Sequence, residues 1–463
     1  MTAAKKRFPI SFAMIPMIFA LAGPTMLEQL MQTAVQYIDT AMVGSLGTTA
    51  TAAVGSTTTV NWLIGGTVNA IGIGFLAFIA QARGAGKHEL ARRAASQAVL
   101  GVLILGVLFT VLPLALSGVV PKWMQVDESA RALSSKYFFV LYTTMLFRVA
   151  NIIFATLLRA VGDTKTPMKV SVIVNVVNVV FNALLIYEPV SVTLGESSFV
   201  IPLAGMGVVG AALGSAISYA VGGIIMTVVI YRHPEISPKG QSLKPCREIL
   251  LPCLRVAVPN ALQRFGTSLG YVSFASIVNS IGEISTAAHT IANTVESAFY
   301  IPGYGMQMAT ATLVGNAYGA QDTKKIRELS KAILFLEVGM MIVSGGLLFA
   351  FAPGMVSLFS RDAAVIALGA TVLRMVALSE PFYGVSIVLE GVMQGMGKTT
   401  FPLVANVTGM WLVRIIGTFV CVSVLGMGLV SAWACMIAHN MMLFVAFVIY
   451  YFLGKWRPKE NVS

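Results

Sequence analysis

Four polar side chains recur along the first long apolar segment of the chain. Glu28, Gln32, Gln36 and Asp39 lie in a run of mostly apolar residues that starts near Phe8. At about 100° per residue in a helix, these positions fall within roughly 80° of one another, so they form one polar stripe. A carboxylate near the centre of a bilayer costs about 2.5–3.5 kcal/mol. The stripe predicts either an acid that is used inside the membrane or a set of hydrogen bonds between helices.

Asp39 is the acid that we expect to take part in chemistry. Burial disfavours the charged form of a carboxyl group, so Asp39 would be neutral when protonated and would otherwise need a bound cation or polar partners. In either case, arrival or departure of a proton or a cation at Asp39 would change the charge of the site and act as a switch. Pro24, earlier in the same segment, lacks a backbone N–H and is predicted to be a hinge. The alternative is a bent helix that has only a packing role.

The composition indicates a protein that crosses a membrane many times. Of its 463 residues, 57% are hydrophobic and 11% are charged, whereas a soluble domain has about 25% charged residues. The net charge is +12, but the basic residues lie in short segments between apolar runs. There they set the topology and meet anionic lipid head groups, so nucleic acid is not an expected partner. The four cysteines form no metal-binding pattern with histidine.

Apolar runs predict about twelve membrane-spanning helices. If both termini are in the cytoplasm, most Lys and Arg residues of the connecting segments lie on the cytoplasmic side, as the positive-inside rule requires. The predicted spans are 10–43, 52–80, 93–119, 134–158, 168–187, 203–231, 250–279, 287–315, 329–352, 365–393, 402–424 and 427–453.

The chain repeats itself at an offset of 235 residues. Matching pairs are Pro24 and Pro259, Gly47 and Gly282, Arg92 and Arg327, Asp127 and Asp362, and Pro167 and Pro402. An even number of spans in each half means that both halves insert in the same direction. We therefore predict an all-α integral membrane fold of two parallel six-helix repeats around a central cleft. The predicted parts are an N-terminal lobe (1–231), a cytoplasmic linker (232–249) and a C-terminal lobe (250–463).

The predicted fifth span carries a second polar face. Asn175, Asn178 and Asn182 are spaced three and four residues apart. Side-chain amides inside a membrane need hydrogen-bond partners, and we expect Asp39 to be one. A carboxylate with amide oxygens suits either a proton or a monovalent hard cation such as Na⁺. A ladder of Asn side chains that only joins helices would have the same spacing.

The second half carries intramembrane charges of its own. Glu296, Glu380 and Glu390 are the acids that we expect in a substrate cavity, and Arg264 could neutralise one of them because an unpaired buried charge is costly. A structural ion pair is the alternative for each acid. Arg414 is expected near a helix end, with its guanidinium group at the membrane surface. Further candidates for the cavity, where aromatic and polar groups suit organic cations, are Glu28, Gln32, Gln36, Tyr37, Trp62 and Tyr300.

Several motifs resemble the multidrug and toxic compound extrusion (MATE) transporters of prokaryotes, part of the MOP flippase superfamily. They are YIDTAMVGSLG in the first span, LLRAVGDTKTP before the fifth, GVVGAALGSAIS in the sixth, AHTIAN and GYGMQMATATLVGNAYGA in the eighth, and MQGMGKTTFP before the eleventh. The resemblance covers nearly the whole chain. It implies a twelve-helix antiporter that exports organic, often cationic, compounds in exchange for H⁺ or Na⁺.

The resemblance also implies roles for particular residues. Asp39 matches the cation-coupling acid of the family, Asn178 and Asn182 match two further positions of that site, and Ser215 matches a hydroxyl group there. The first three would hold the ion if it is Na⁺. NorM-type members have a Glu where this chain has Thr267, so the resemblance does not extend to their cation site in the C-terminal half.

We therefore expect a multidrug efflux antiporter of the plasma (inner) membrane, working by alternating access and most simply as a monomer. Its partners would be small organic cations or drug-like molecules and membrane lipid, with no cofactor besides the transported H⁺ or Na⁺. The alternative is a flippase for lipid-linked oligosaccharides or lipids. A membrane-embedded enzyme is disfavoured, because His289 and His439 are isolated and neither an H-E-x-x-H motif nor a P-loop occurs.

Overall fold

The computed structural model of the chain describes residues 14–124, 126–194 and 197–454. Three predictions reach beyond these described residues. They are the start of the first span at 10–13, the outer ends of the two lobes, and the cytoplasmic position of both termini.

Long helices joined by short connections make up most of the described chain. The first half contains α1 (Met14–Gly44), α2 (Thr48–Gly84), α3 (His88–Leu116), α4 (Val120–Trp123), α5 (Glu128–Tyr142), α6 (Met145–Ala160), α7 (Lys165–Ile186) and α8 (Gly207–Arg232). A two-stranded antiparallel hairpin of β1 (Val190–Leu194) and β2 (Ser197–Ile201) joins α7 to α8.

The second half also consists mostly of long helices. It contains α9 (Arg247–Asn279), α10 (Glu283–Gly319), α11 (Thr323–Ser357), α12 (Ala363–Ala377), α13 (Glu380–Gly395), α14 (Thr400–Val424) and α15 (Leu429–Leu453). Two stretches of α14, Gly409–Ile416 and Val420–Val424, are π-helical. Such widened turns are frequent at functional sites.

Helix length and hydropathy agree with a membrane protein. In the described residues, eight helices are long and apolar enough to cross a membrane, or ten if each of two bent helix pairs counts as one span. The predicted spans in α9 and α10 are not among them, although these helices have 33 and 37 residues, because polar residues lower their hydropathy. The predicted all-α membrane class is confirmed.

Two of the predicted spans are broken rather than continuous. In place of the predicted span 134–158 the structure has α5 and α6, which meet at a bend of 51°. In place of the predicted span 365–393 it has α12 and α13, which meet at a bend of 54°. At both breaks a hydroxyl group bonds the backbone of its own helix end: Thr143 Oγ1 donates to Val140 O at 2.6 Å, and Ser379 Oγ donates to Val376 O at 2.8 Å. These local bonds compete with continuation of the helix.

The internal repeat is present in the helix bounds themselves. The bounds of α2 and α10 differ by 235 residues at both ends, as do those of α5 and α12 and those of α6 and α13. The turns repeat as well: Gly47 and its partner Gly282 have φ of +106° and +135°, a region that favours glycine. The predicted duplication therefore describes the fold as well as the sequence.

The chain groups into two compact units. Unit 1 comprises the described residues of Met1–Gln29, Leu76–Lys87 and Pro252–Ser463, and unit 2 comprises Leu30–Phe75 and His88–Leu251. The lobe and linker boundaries given above from the sequence stay a prediction.

Candidate functional site

Asp39 lies on α1 beside the polar face of α7. Asn182 Nδ2 donates a hydrogen bond to Asp39 Oδ1 at 2.7 Å. Asp39 is half-buried, whereas Asn178 and Asn182 are only 5% and 1% exposed. The structure thus brings the first-span acid and the fifth-span amides together within unit 2.

Asn178 connects Asp39 to α8. With its amide nitrogen toward the acid, Asn178 donates to Asp39 Oδ1 at 2.7 Å and accepts from Ser215 Oγ at 3.2 Å. In the reverse orientation Asn178 Oδ1 faces Asp39 and accepts from Asn182 Nδ2 at 3.3 Å. Two acceptor oxygens this close are favourable only if Asp39 carries a proton or a cation lies between them. The orientation of this amide therefore depends on whether Asp39 is occupied.

Gly214 makes room for this arrangement. A Cβ atom at this position would collide with Asn182 Oδ1. That oxygen is buried and accepts no hydrogen bond from the described residues. The sequence indicates Gly214 only as a site of close helix packing, because its spacing from Gly210 is the usual signal for that. Its role beside Asp39 is visible only in the structure.

The remaining predicted residues of α1 and α2 lie outside this cluster. Gln32, Gln36, Tyr37 and Trp62 are exposed side chains of unit 2. Glu28 is buried and belongs to unit 1, so the predicted polar stripe is divided between the two units. Whether these five contact substrate stays a prediction.

A polar network in unit 2 surrounds Arg148. Arg148 Nη1 donates to Asn61 Oδ1 at 3.2 Å, and Tyr142 Oη donates to the same oxygen at 2.9 Å. The guanidinium carbon of Arg148 also lies 5.0 Å from the ring centroid of Tyr219. Buried Tyr137 is within electrostatic reach of both Asp39 and Arg148. The network therefore lies near the candidate cation site.

Two of the predicted cavity acids lie together in unit 1. Glu296 and Glu380 are buried and act on each other electrostatically, and both act on Tyr300. Buried Glu337 also acts on Glu380. The carboxylate oxygens of Glu337 and Glu380 accept no hydrogen bond from the described residues. This is an acidic group beside an aromatic ring, a combination that suits an organic cation.

Tyrosine rings form one side of this acidic group. The Tyr300 ring packs edge-on against Tyr304 and Tyr383, with centroids 5.9 and 5.8 Å apart. The hydroxyl oxygens of Tyr304 and Tyr383 are 3.3 Å apart and share a hydrogen bond. Tyr300 was predicted for the cavity, and the tertiary contacts add the ring of Tyr383.

The expected position of Arg414 near the membrane surface is wrong. Arg414 is 4% exposed and lies in the π-helical stretch Gly409–Ile416. Its guanidinium carbon is 4.2 Å from the Phe274 ring centroid and 4.9 Å from that of Tyr271. The two rings of α9 face the cation, and the charge of Glu296 acts on it. These contacts offset the cost of burial.

Glu390 lies in a separate polar group of unit 1. Its carboxylate accepts from Gln263 Nε2 at 3.0 Å, from Gln394 Nε2 at 3.1 Å and from Asn406 Nδ2 at 3.4 Å. The charge of exposed Arg264 acts on Glu390, as the sequence analysis expected for one of the acids. No ion pair joins these two among the residues that the structure describes.

Comparison with known proteins agrees with this architecture. Residues 24–184 and 259–420 match the profile of the MatE family, and the two matches begin at Pro24 and Pro259 of the internal repeat. The chain is 26% identical to "Probable multidrug resistance protein NorM" of Thermotoga maritima over 446 residues, 96% of this chain and 94% of the relative. It is 24% identical to "Probable multidrug resistance protein YoeA" of Bacillus subtilis over 418 residues, 89% and 87% of the two chains.

A solved structure shares the fold. It is an outward-facing multidrug resistance MATE family transporter of the MOP superfamily, with a TM-score of 0.86, 24% identity and 95% of both chains covered. The family and these relatives are transporters and not enzymes. Because the two family matches together span well over half of the sequence, the chain belongs to the MatE family.

Proposed function

We propose that the chain is a multidrug efflux antiporter of the plasma (inner) membrane that exports organic, mostly cationic, compounds in exchange for H⁺ or Na⁺. The observation that carries this proposal is the Asp39 cluster, in which a half-buried acid contacts two buried amides of α7. The names of the relatives support multidrug export. The Lys and Arg asymmetry of the sequence supports cytoplasmic termini.

Asp39 is the coupling residue of the proposed mechanism. When the acid is ionised, the amide nitrogens of Asn178 and Asn182 stabilise its charge. When H⁺ or Na⁺ arrives, the Asn178 oxygen turns toward Asp39, and the hydrogen bond that Asn178 makes with Ser215 reverses its direction. Entry of the ion thereby changes the contacts of α1 with α7 and lowers the affinity for bound substrate. Alternating access then releases the substrate outside.

The driving force is of sufficient size. When a neutral compound is exported, one elementary charge that moves through 100 mV in each cycle releases about 2.3 kcal/mol, which corresponds to an accumulation ratio of some tens. One-for-one exchange with a singly charged cation moves no net charge, so the chemical gradient of H⁺ or Na⁺ drives it.

The acidic and aromatic group of unit 1 is the proposed contact for cationic substrate. Glu296 and Glu380 supply carboxyl groups whose ionised form a bound cation would stabilise, and Tyr300 supplies a ring within electrostatic reach of both acids. A flat organic cation gains from both kinds of group, by about 0.5–2 kcal/mol for each cation–π contact.

The test is efflux of a fluorescent organic cation from proteoliposomes with separately imposed pH and Na⁺ gradients. Asp39→Asn should abolish gradient-driven efflux while binding of the fluorescent cation stays measurable. Asp127→Asn is the matched control, because Asp127 is an exposed acid of unit 2 whose side chain makes no capping hydrogen bond. Wild-type efflux by the Asp39 variant, or efflux driven by neither gradient in the wild type, would refute the proposal.

A further inference from the structure

Two cysteines of unit 1 face each other across the last pair of helices. Cys421 lies in the π-helical end of α14, and Cys435 lies on α15. Cys435 Sγ donates a hydrogen bond to Cys421 Sγ, with 3.9 Å between the two sulfur atoms. Both side chains are half-buried, so neither sulfur is enclosed in the core. We call these two residues the thiol pair.

The two helices approach each other closely beside the thiol pair. Gly417 precedes Cys421 by about one helical turn. A Cβ atom at Gly417 would lie 3.7 Å from Cys435 Cβ and 3.3 Å from Cys435 Sγ. Disulfides join residues whose Cβ atoms are about 3.5–4.5 Å apart. The backbones of α14 and α15 thus come as near to each other here as a disulfide requires.

The chain turns sharply just beyond Cys421. The carbonyl oxygen of Cys421 accepts a hydrogen bond from Met427 N at 2.9 Å, and Gly426 has φ of +65°, a region that favours glycine. This turn holds the end of α14 beside the start of α15. We therefore expect rotation about the two Cα–Cβ bonds to bring the sulfur atoms from 3.9 Å to the roughly 2.05 Å of a disulfide.

We propose that the thiol pair is a redox modification site, at which a small-molecule disulfide converts the two thiols into a disulfide that links α14 to α15. The thiolate of one cysteine attacks a sulfur of the reagent and releases half of it as a thiol, which leaves a mixed disulfide on the protein. The thiolate of the second cysteine attacks the protein sulfur of this mixed disulfide and releases the other half as a second thiol. The protein loses two electrons and two protons, and the reagent gains both.

The position of the thiol pair in the chain suits such a reaction. The turn between α14 and α15 joins the last two predicted spans, so it lies on the outer side of the membrane if both termini are cytoplasmic. Disulfides form and persist in oxidising compartments outside the cytosol. The side of the membrane rests on the orientation given in the proposed function, whereas the contact between the two sulfur atoms does not depend on it.

The other two cysteines provide a contrast within the same chain. Cys253 is 2% exposed, and Cys246 accepts a hydrogen bond from Arg93 Nη2 at 3.6 Å. Among the residues that the structure describes, neither thiol forms a hydrogen bond with another sulfur. Disulfide exchange depends on access to the sulfur and on a second thiol within reach, so both should remain thiols where the thiol pair is oxidised.

Thiol counting on the purified full-length protein tests the site without any transport. Oxidised glutathione should lower the number of free thiols from four to two, and dithiothreitol should restore all four. Mass spectrometry of proteolytic fragments should identify the bond between Cys421 and Cys435. In Cys421→Ser, the remaining thiol of the pair should stop at the mixed disulfide with glutathione because it has no second thiol to react with. Cys246→Ser is the matched control and should still form the bond.

Size-exclusion chromatography checks that each variant folds. The oxidised wild type should unfold at a higher temperature than the reduced one, since a cross-link restricts the unfolded chain, and this difference should vanish in Cys421→Ser. Four free thiols in the folded wild type after oxidation would overturn the inference, as would glutathione adducts on both members of the thiol pair or a bond to either of the other cysteines. Failure of the proposed efflux function is a separate result, because it is measured as gradient-driven transport and not as thiol content.

Discussion

The guanidinium group of Arg414 stacks on the ring of Phe274 in unit 1, with 4.2 Å between the guanidinium carbon and the ring centroid. Phe274 occupies the repeat position of Asp39. Where unit 2 has an acid surrounded by amides, unit 1 therefore has a permanent cation held by aromatic rings. The two halves share the bounds of three helix pairs but have opposite charge near this position.

The strength of this contact can be measured by a double-mutant cycle. We expect Arg414→Lys and Phe274→Leu to show a coupling energy of about 0.5–2 kcal/mol, because an ammonium group cannot stack on the ring as a guanidinium group does. Unfolding in detergent, followed for the wild type, both single variants and the double variant, gives this value. Additive effects would contradict the stacking contact.

Gly214 provides a steric test of the Asp39 cluster. Gly214→Ala should displace the Asn182 amide from Asp39, since the new Cβ atom would collide with Asn182 Oδ1. Loss of a hydrogen bond to the ionised acid costs about 1.5–3 kcal/mol and destabilises the unoccupied state, so ion affinity in gradient-driven efflux should rise tenfold or more. Gly55→Ala is the control, because a Cβ atom there meets nothing within 4 Å. Equal ion affinity in both variants would exclude this role of Gly214.

Sequence reasoning predicts features that depend on period and spacing. The offset of 235 residues predicts the duplicated helix bounds, and the spacing of Asn178 and Asn182 predicts one polar face of α7. The hydrogen bond from Asn182 to Asp39 then follows from the need of a buried amide for a partner. Such features are local or repetitive, so the order of the residues is sufficient to find them.

Features that depend on tertiary packing cannot be predicted from the order of the residues. Burial of Arg414 requires the rings of Phe274 and Tyr271 on another helix, and a charge in an apolar segment is equally compatible with the membrane surface. The polar group around Glu390 likewise joins this acid to Gln263, which is far away in the sequence. No periodic pattern links such residues.

An added acid should change the ion preference of the Asp39 cluster. In Asn182→Asp, two carboxyl groups would lie where the amide nitrogen and Asp39 Oδ1 are 2.7 Å apart. Two carboxylates this close cannot both be ionised without a cation, so the pair should retain one proton at neutral pH. We expect pH-driven efflux by this variant to reach its maximum at a higher pH than in the wild type. Asn175→Asp places the same acid elsewhere on α7 and should leave the maximum closer to the wild-type value.

The aromatic side of the acidic group in unit 1 can be tested by keeping or removing one ring. Tyr300 packs edge-on against Tyr304 and Tyr383, so Tyr300→Phe should keep these contacts and Tyr300→Leu should lose them. If the ring contacts a flat organic cation, the Leu variant loses about 0.5–2 kcal/mol of binding energy, or roughly two- to thirtyfold in apparent affinity. Efflux of the fluorescent cation over a range of concentrations measures this difference. Because both variants lack the hydroxyl group, equal affinities in the two would mean that the ring contributes nothing to substrate binding.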